Sequence, residues 1–263
     1  VAAYDFVTGL VARSPILGAA ALGILAVFVL VCLALIVREL AALARLRRVG
    51  ALQAEAVAAR AGSLDEARAF ADRLCAFYAA RDETRWGRDK LKDGAAQAFD
   101  PGTVLLLAED VLLDPLDQQA MREVEAAARQ VATITALVPM AFADVLAALT
   151  SNLTMIRRIA EIYGGRAGTL GAWRLTRAVI THLVATGAVA IGDDLLGSVG
   201  GGHLLGKLSR RFGEGLVNGA LTARVGIAAM EVCRPVPFSE TRKPGVAALV
   251  RRAFTGLFEK SAE

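Results

Sequence analysis

The sequence predicts an all-α protein in which an N-terminal transmembrane helix is followed by a cytoplasmic helical bundle. Three observations carry that expectation. Between Arg13 and Arg38 the chain runs 24 residues without a charge, and a helix of about 20 apolar residues covers a hydrocarbon core of roughly 30 Å. Alanine, leucine, valine and arginine dominate the composition, which favours helices over sheets. Helix start and stop signals then punctuate the rest, and no convincing strand pattern appears. Hydrophobic residues make up 55% of the 263 and mean hydropathy is +0.48, both pointing to a stretch that prefers lipid.

The apolar run is taken as a span over residues 14–37, opening at Ser14-Pro15, where proline is tolerated in the first turn. It is longer than the apolar core of a signal peptide and lacks a following cleavage motif. Residues 1–13 carry one acid and one base, whereas residues 38–48, RELAALARLRR, carry four arginines against Glu39. Arginine-rich flanks stay on the cytoplasmic side, so residues 1–13 are expected to form a periplasmic link. The chain begins with Val1, as a piece of a longer protein would.

Residues 38–61 extend the membrane helix as a basic helical segment, interrupted only by Gly50. A cytoplasmic helical domain follows over residues 62–238. Ser63-Leu64-Asp65-Glu66 reads as a capping box that starts a helix to about Ala80. Residues 81–100 are polar, a short helix with loops. Asp100-Pro101 and Asp114-Pro115 each place an N-cap acid before an N1 proline, so two helices are expected to begin there, the second running to about Val138. An apolar helix then ends at Tyr163-Gly164-Gly165. Another is expected from Leu170 to about Ile191, and a third over Gly213–Cys233. Arg234-Pro235-Val236-Pro237 cannot be helical throughout and acts as a spacer. Residues 239–263 form a C-terminal amphipathic helix, with Val246, Val250, Ala253, Phe254, Leu257 and Phe258 on one face. Two segments, Gln130–Ile156 and Ala178–Gly192, are apolar apart from Asp144 and His182. Burial in a helical core is preferred for both, and a hairpin dipping into the bilayer stays open.

Few residues suggest chemistry. Gly201-Gly202-His203-Leu204-Leu205-Gly206-Lys207-Leu208 matches a phosphate-binding loop until Leu208, which stands where a magnesium-binding hydroxyl is needed. His182 and His203 are the only histidines; His182 has no carboxylate or cysteine at helical spacing for a metal and is expected as a hydrogen-bonded core imidazole, and His203 is expected to be solvated in the glycine link. Asp193 and Asp194 are adjacent and point different ways, as caps or turn residues do. Cys32, Cys75 and Cys233 form no paired motif. No cofactor or metal is expected, and no enzyme. An acid within an apolar helix needs a partner. Asp144 is therefore matched with candidate arginines Arg157, Arg158, Arg174, Arg177 and Arg224. Asp144, Arg157 and Arg224 stand as the interaction or core-pair candidates, read first as a buried pair that fixes helix register. Net charge is +4 without basic runs interleaved with aromatics, which excludes nucleic acid as the expected partner and fits an anionic membrane surface.

Asn152–Tyr163, NLTMIRRIAEIY, and Leu221–Phe238, LTARVGIAAMEVCRPVPF, resemble segments of the YcjF family of bacterial inner-membrane proteins. The order of elements agrees too, from membrane helix through arginine-rich exit to the C-R-P-x-P stretch, which has no general structural reason to recur. The resemblance implies an inner-membrane protein with a cytoplasmic helical domain and no catalytic residues to carry over. It also implies partnership with a P-loop NTPase of the YcjX type, which would bind the nucleotide that Leu208 denies this chain. The expected function is thus that of a non-enzymatic membrane adaptor or regulator. The alternative is a membrane-active helical protein that inserts into or remodels the bilayer. Self-association stays open.

Overall fold

Helix α1, Pro15–Ala61, is one continuous rod of 47 residues. It is the first element of the computed structural model, which describes residues 15–137, 141–164, 169–185, 210–239 and 241–258. Gly50 does not break it, because a helix tolerates a single glycine at a cost of about 1 kcal/mol. The two halves of α1 differ in surroundings. Leu22, Ile24, Phe28, Leu30, Leu33 and Ile36 are all exposed, whereas Leu52, Ala56 and Ala59 are buried in the bundle core and Val49 is buried on the same face. The basic extension is therefore joined to the bundle by its second half.

The capping box forms as the sequence signals it. Glu66 N–H donates to Ser63 Oγ at 3.3 Å and Ser63 N–H to Glu66 Oε2 at 2.7 Å, opening α2, Leu64–Phe77. A 3₁₀ turn, Asp82–Thr84, leads into α3, Arg85–Gln97. Asp100 caps α4, Pro101–Leu107, by accepting from Thr103 N–H at 2.9 Å.

Asp114-Pro115 does not start a separate helix. The chain instead passes from α4 through a π-helical stretch, Ala108–Leu113, directly into α5, Asp114–Leu137. Pro115 has no N–H to give the carbonyl of Val111, four residues back, and its ring presses on that carbonyl. A wider π turn accommodates both faults without ending the helix. The Val111 carbonyl faces α3 at Gly87, where an added Cβ would lie 2.3 Å from it.

Helices α6, Ala141–Ile162, α7, Thr169–Ala185, α8, Arg210–Cys233, and α9, Val246–Phe258, complete the order. Gly164, at φ +95°, stops α6. Among the described residues there is no strand, so the protein is all-α. The centre of the bundle is the pair α5 and α8, flanked by α6, α7 and α9. Their approach is close. An added Cβ at Gly215 would meet the Ala132 carbonyl at 2.6 Å, and one at Gly226 the Val124 methyls at 2.5 Å. Of the expected apolar face on α9, Val250, Ala253 and Phe254 are buried and Val246 is half-buried, with Leu249 buried beside them and Arg251 and Arg252 exposed, while the side chains of Leu257 and Phe258 lie outside the described residues.

Among the described residues, Gly213–Cys233 is the one helix long and apolar enough to cross a membrane, and more than half of it is buried within the bundle, whereas Leu22–Ala34 of α1 is a shorter apolar stretch. Residues 1–13, Pro139, and the glycine-rich span with Asp193, Asp194, Gly201–Leu208 and His203 lie outside the described residues.

Candidate functional site

The loop after α8 supplies a heavily bonded buried side chain. After Cys233 the two prolines turn the chain so that Arg234 points inward, fully buried. Its Nε and Nη2 donate to Asp117 of α5, at 3.0 Å to Oδ1 and 3.0 Å to Oδ2. Its Nη1 donates to the Val236 carbonyl of its own loop, and its guanidinium lies 4.2 Å over the Phe238 ring. A planar fork of five donors suits this double grip on a carboxylate. The R-P-V-P-F stretch thus has a structural reason: the prolines aim the arginine, and the phenylalanine closes over it.

A second buried acid completes the site. Glu109 comes from the π stretch with no exposed surface. Its Oε2 faces Arg234 Nη2 at 3.4 Å and accepts from the Ser239 hydroxyl at 3.3 Å. Its Oε1 accepts from Arg60 of α1 at 2.9 Å. The extra residue of a π turn re-aims the side chains it carries, which brings Glu109 inward. Two cations and two anions meet, so charge is balanced in a setting where an unpaired ion would be heavily penalised.

Two tyrosines extend the cluster. Tyr163 donates to Asp117 Oδ1 at 2.6 Å, and Tyr78 donates to the Tyr163 carbonyl at 3.1 Å. Arg81 adds a bond to the Ile162 carbonyl at 2.5 Å. Burial pushes the Asp117 carboxyl upward against the pull of Arg234, and pushes both tyrosine hydroxyls well above their ordinary range. Burial likewise lifts the neighbouring Cys233 thiol to about 12, which keeps it from acting as a nucleophile. Chemically, the assembly is a clamp. It fastens α1, the end of α2, the π stretch, α5, the end of α6 and the loop after α8 to one another.

Beside it lies a smaller knot. Gln53 of α1 donates to the carbonyls of Glu231 at 3.0 Å and Arg234 at 2.7 Å, capping the C-terminus of α8. Glu231 in turn holds His182 of α7 at 2.6 Å and Lys243 at 2.5 Å. His182 is thus a hydrogen-bonded histidine, held by a carboxylate from another helix. No group of His, Cys, Asp and Glu among the described residues is arranged to hold a metal ion.

The residues singled out from sequence fall elsewhere. The side chain of Asp144 lies outside the described residues, as does that of Arg174. Arg157 is exposed and pairs with Glu161 at 3.2 Å, one turn along its own helix. Arg158 pairs with Glu123 of α5 at 2.9 Å. Arg224 is half-buried on α8.

Comparison with known proteins places this architecture. A family described as "Domain of unknown function (DUF697)" matches residues 99–259, which include Glu109, Asp117, Tyr163 and Arg234. A UPF0283 membrane protein of Rhizobium etli is 45% identical over 238 residues, covering 90% of this chain and 66% of the relative. Another, of Rhizobium leguminosarum bv. trifolii, is 44% identical over 243 residues, 92% of this chain and 68% of the relative. The chain belongs to the UPF0283 membrane protein family. A third UPF0283 protein, of Mesorhizobium japonicum, is 43% identical over 92% of this chain and 67% of its own length. The chain thus spans about two thirds of the length of these relatives. Within UPF0283, the DUF697 match begins just before α4 and carries every member of the clamp except Arg60, Tyr78 and Arg81. No solved structure matches the chain.

Proposed function

We propose that this UPF0283 chain is a membrane-tethered, non-enzymatic adaptor whose helical bundle docks or regulates a P-loop NTPase on the cytoplasmic face of the inner membrane. The observation that carries the reading is the divided character of α1. One rigid helix exposes apolar side chains along its first half and is fastened into the bundle through Gln53, Arg60 and four buried side chains along its second. An exposed apolar helix of that length has lipid as its natural solvent. The competing apolar helix, α8, is more than half buried within the bundle, where it packs chiefly on α5, which favours α1 as the anchor. The four arginines of residues 38–48 orient the bundle toward the cytoplasm. The YcjF resemblance supplies the partner class, a YcjX-type NTPase.

Reporters fused after Arg60 and before Arg13 test the orientation. Cytoplasmic behaviour of the first and external behaviour of the second are expected, and the reverse pair sinks it. Capture with the detergent-extracted full chain, read by mass spectrometry, tests the partner. Recovery of a P-loop NTPase is expected, and its loss when surface residues of the bundle are changed would tie it to the bundle. Repeated capture without any NTPase sinks the adaptor reading.

A further inference from the structure

Helices α6 and α7 pack against each other and are joined by a short connection opening at Tyr163-Gly164, the arrangement of an antiparallel hairpin. Among the described residues, the open end of that hairpin exposes apolar side chains. On α6, Val145, Leu146 and Leu149 are exposed, Val145 by 64%. On α7, Ile180 and Val184 are exposed, Val184 by 65%, in line with exposed Arg177, while Leu175 and Val179 bury the opposite face. At 100° per residue these three exposed positions fall within about 60° of arc.

The orientation of this end relative to α1 follows from the bonds already described. Tyr163, at the closed end of the hairpin, belongs to the clamp that Arg60 joins through Glu109. His182, near the open end, is held by Glu231, whose own carbonyl accepts from Gln53. Gln53 precedes Arg60 by seven residues, about 10 Å along the helix. The open end therefore looks back along α1 toward Arg48 and the exposed apolar half, and α7 packs on α1. About 24 Å of helix separates Val37 from Gln53. A lean of about 40°, within the range of spanning helices, lowers Gln53 to about 18 Å above the hydrocarbon edge. A helix packed beneath α1 at about 9 Å sits roughly 6 Å lower again. Its outward side chains then reach the headgroup layer, whose depth is about 6 Å.

Resting on the α1 anchor, we infer that the open end of the α6–α7 hairpin is a membrane-surface contact that presses Val145, Leu146, Leu149, Ile180 and Val184 into the headgroup region of an anionic leaflet. Apolar side chains beside a cation are the pattern of a helix that lies at an interface, and Arg177 together with the arginine-rich exit of α1 supplies the attraction to anionic lipid. The contact would fix the tilt of the bundle, and with it the surface presented to a partner.

The full chain holds two tryptophans, Trp86 and Trp173. Replacing both by phenylalanine and adding Val184→Trp gives one reporter at an exposed position. Leu146→Trp on the same background gives a second. In nanodiscs of phosphatidylcholine with phosphatidylglycerol, bromines high on the acyl chains should quench either reporter at least about twofold, as expected at an interfacial depth. Bromines near the chain ends should quench it less. Leu149→Asp with Ile180→Asp should abolish the quenching while the chain still resists alkaline extraction. Emission that stays unquenched and open to aqueous acrylamide in a firmly anchored chain overturns the contact and leaves the anchor standing. Stronger quenching from the chain ends also overturns it, since the hairpin would then insert. Loss of the whole chain on alkaline extraction overturns the anchor and the contact together.

Discussion

Arg234 binds Asp117, Glu109 and the Val236 carbonyl at once, and the chemistry of these neighbours determines what its loss would do. Arg234→Met removes the one buried cation among the described residues and strands the buried acids Asp117 and Glu109 that it binds. Breaking a buried pair in this way is expected to destabilise the fold by about 3–5 kcal/mol. Adding Asp117→Leu to Arg234→Met removes one stranded acid, so the double variant should be more stable than Arg234→Met alone. Arg60→Ala should cost less than Arg234→Met, because Arg60 is 42% exposed and Glu109 keeps Arg234 and Ser239. Denaturation in mild detergent gives all three values. A double variant less stable than the single would show that the acids are held by something other than this arginine. None of this was legible in the sequence. Glu109 and Asp117 stand in an ordinary polar stretch, AEDVLLDPLDQQ, while Asp144 drew attention by its apolar neighbours. Burial of the first two is decided by contacts with a residue more than a hundred positions away.

At the scale of elements, local signals served well where a helix end depends on its own residues. Ser63, Asp100 and Gly164 do what their types dictate. The capping acids also set a pH dependence. Hydrogen bonds from Ser63 hold the Glu66 carboxyl below its ordinary value, and those from Thr103 do the same for Asp100. A lowered native value means that their contribution is present above the ordinary carboxylate range and is lost as pH falls through the lowered values. Melting temperature should therefore fall on that acid limb, and Glu66→Gln with Asp100→Asn should flatten it. An unchanged limb would assign acid sensitivity to other groups. The π stretch misled the local reading because Asp114-Pro115 carries the same cap-and-proline signal as a true start. What overrides it is packing on α3. Gly87→Ala should force the Val111 carbonyl away and destabilise by about 1–3 kcal/mol. Gly50→Ala meets nothing within 4 Å and should be neutral or stabilising by up to about 1 kcal/mol. Equal effects at the two glycines would remove the packing explanation.

For the whole molecule, the distinctive feature is that the element assigned to lipid is also a structural member of the bundle. Sequence read the two roles of α1 as successive segments, 14–37 and 38–61, with the helical domain opening at residue 62. The boundary is natural in sequence, since Gly62 and the Ser63 capping box follow. In the fold, however, Leu52, Ala56 and Ala59 belong to the same core as Phe70, Leu116 and Met230, and Val49 on the same face is buried too. A chain cut to residues 62–263 loses those four contacts, the cap that Gln53 places on α8 and the outer partner of Glu109. A buried leucine or valine alone contributes about 1.5–3 kcal/mol, a large share of the 5–15 kcal/mol that holds a typical domain together. A chain beginning at Arg48 keeps all of these contacts while leaving out the exposed apolar half. The 48–263 chain should therefore melt cooperatively and resist proteolysis, whereas the 62–263 chain should be digested quickly and expose the apolar surface that α1 covers. Restoring residues 48–61 as a separate peptide should partly rescue the shorter chain, and Gln53→Ala in that peptide should weaken the rescue. Equal stability of the two truncated chains would mean that α1 is a passive attachment, and movement of its exposed half could then not be transmitted to the bundle through Arg60 and Glu109.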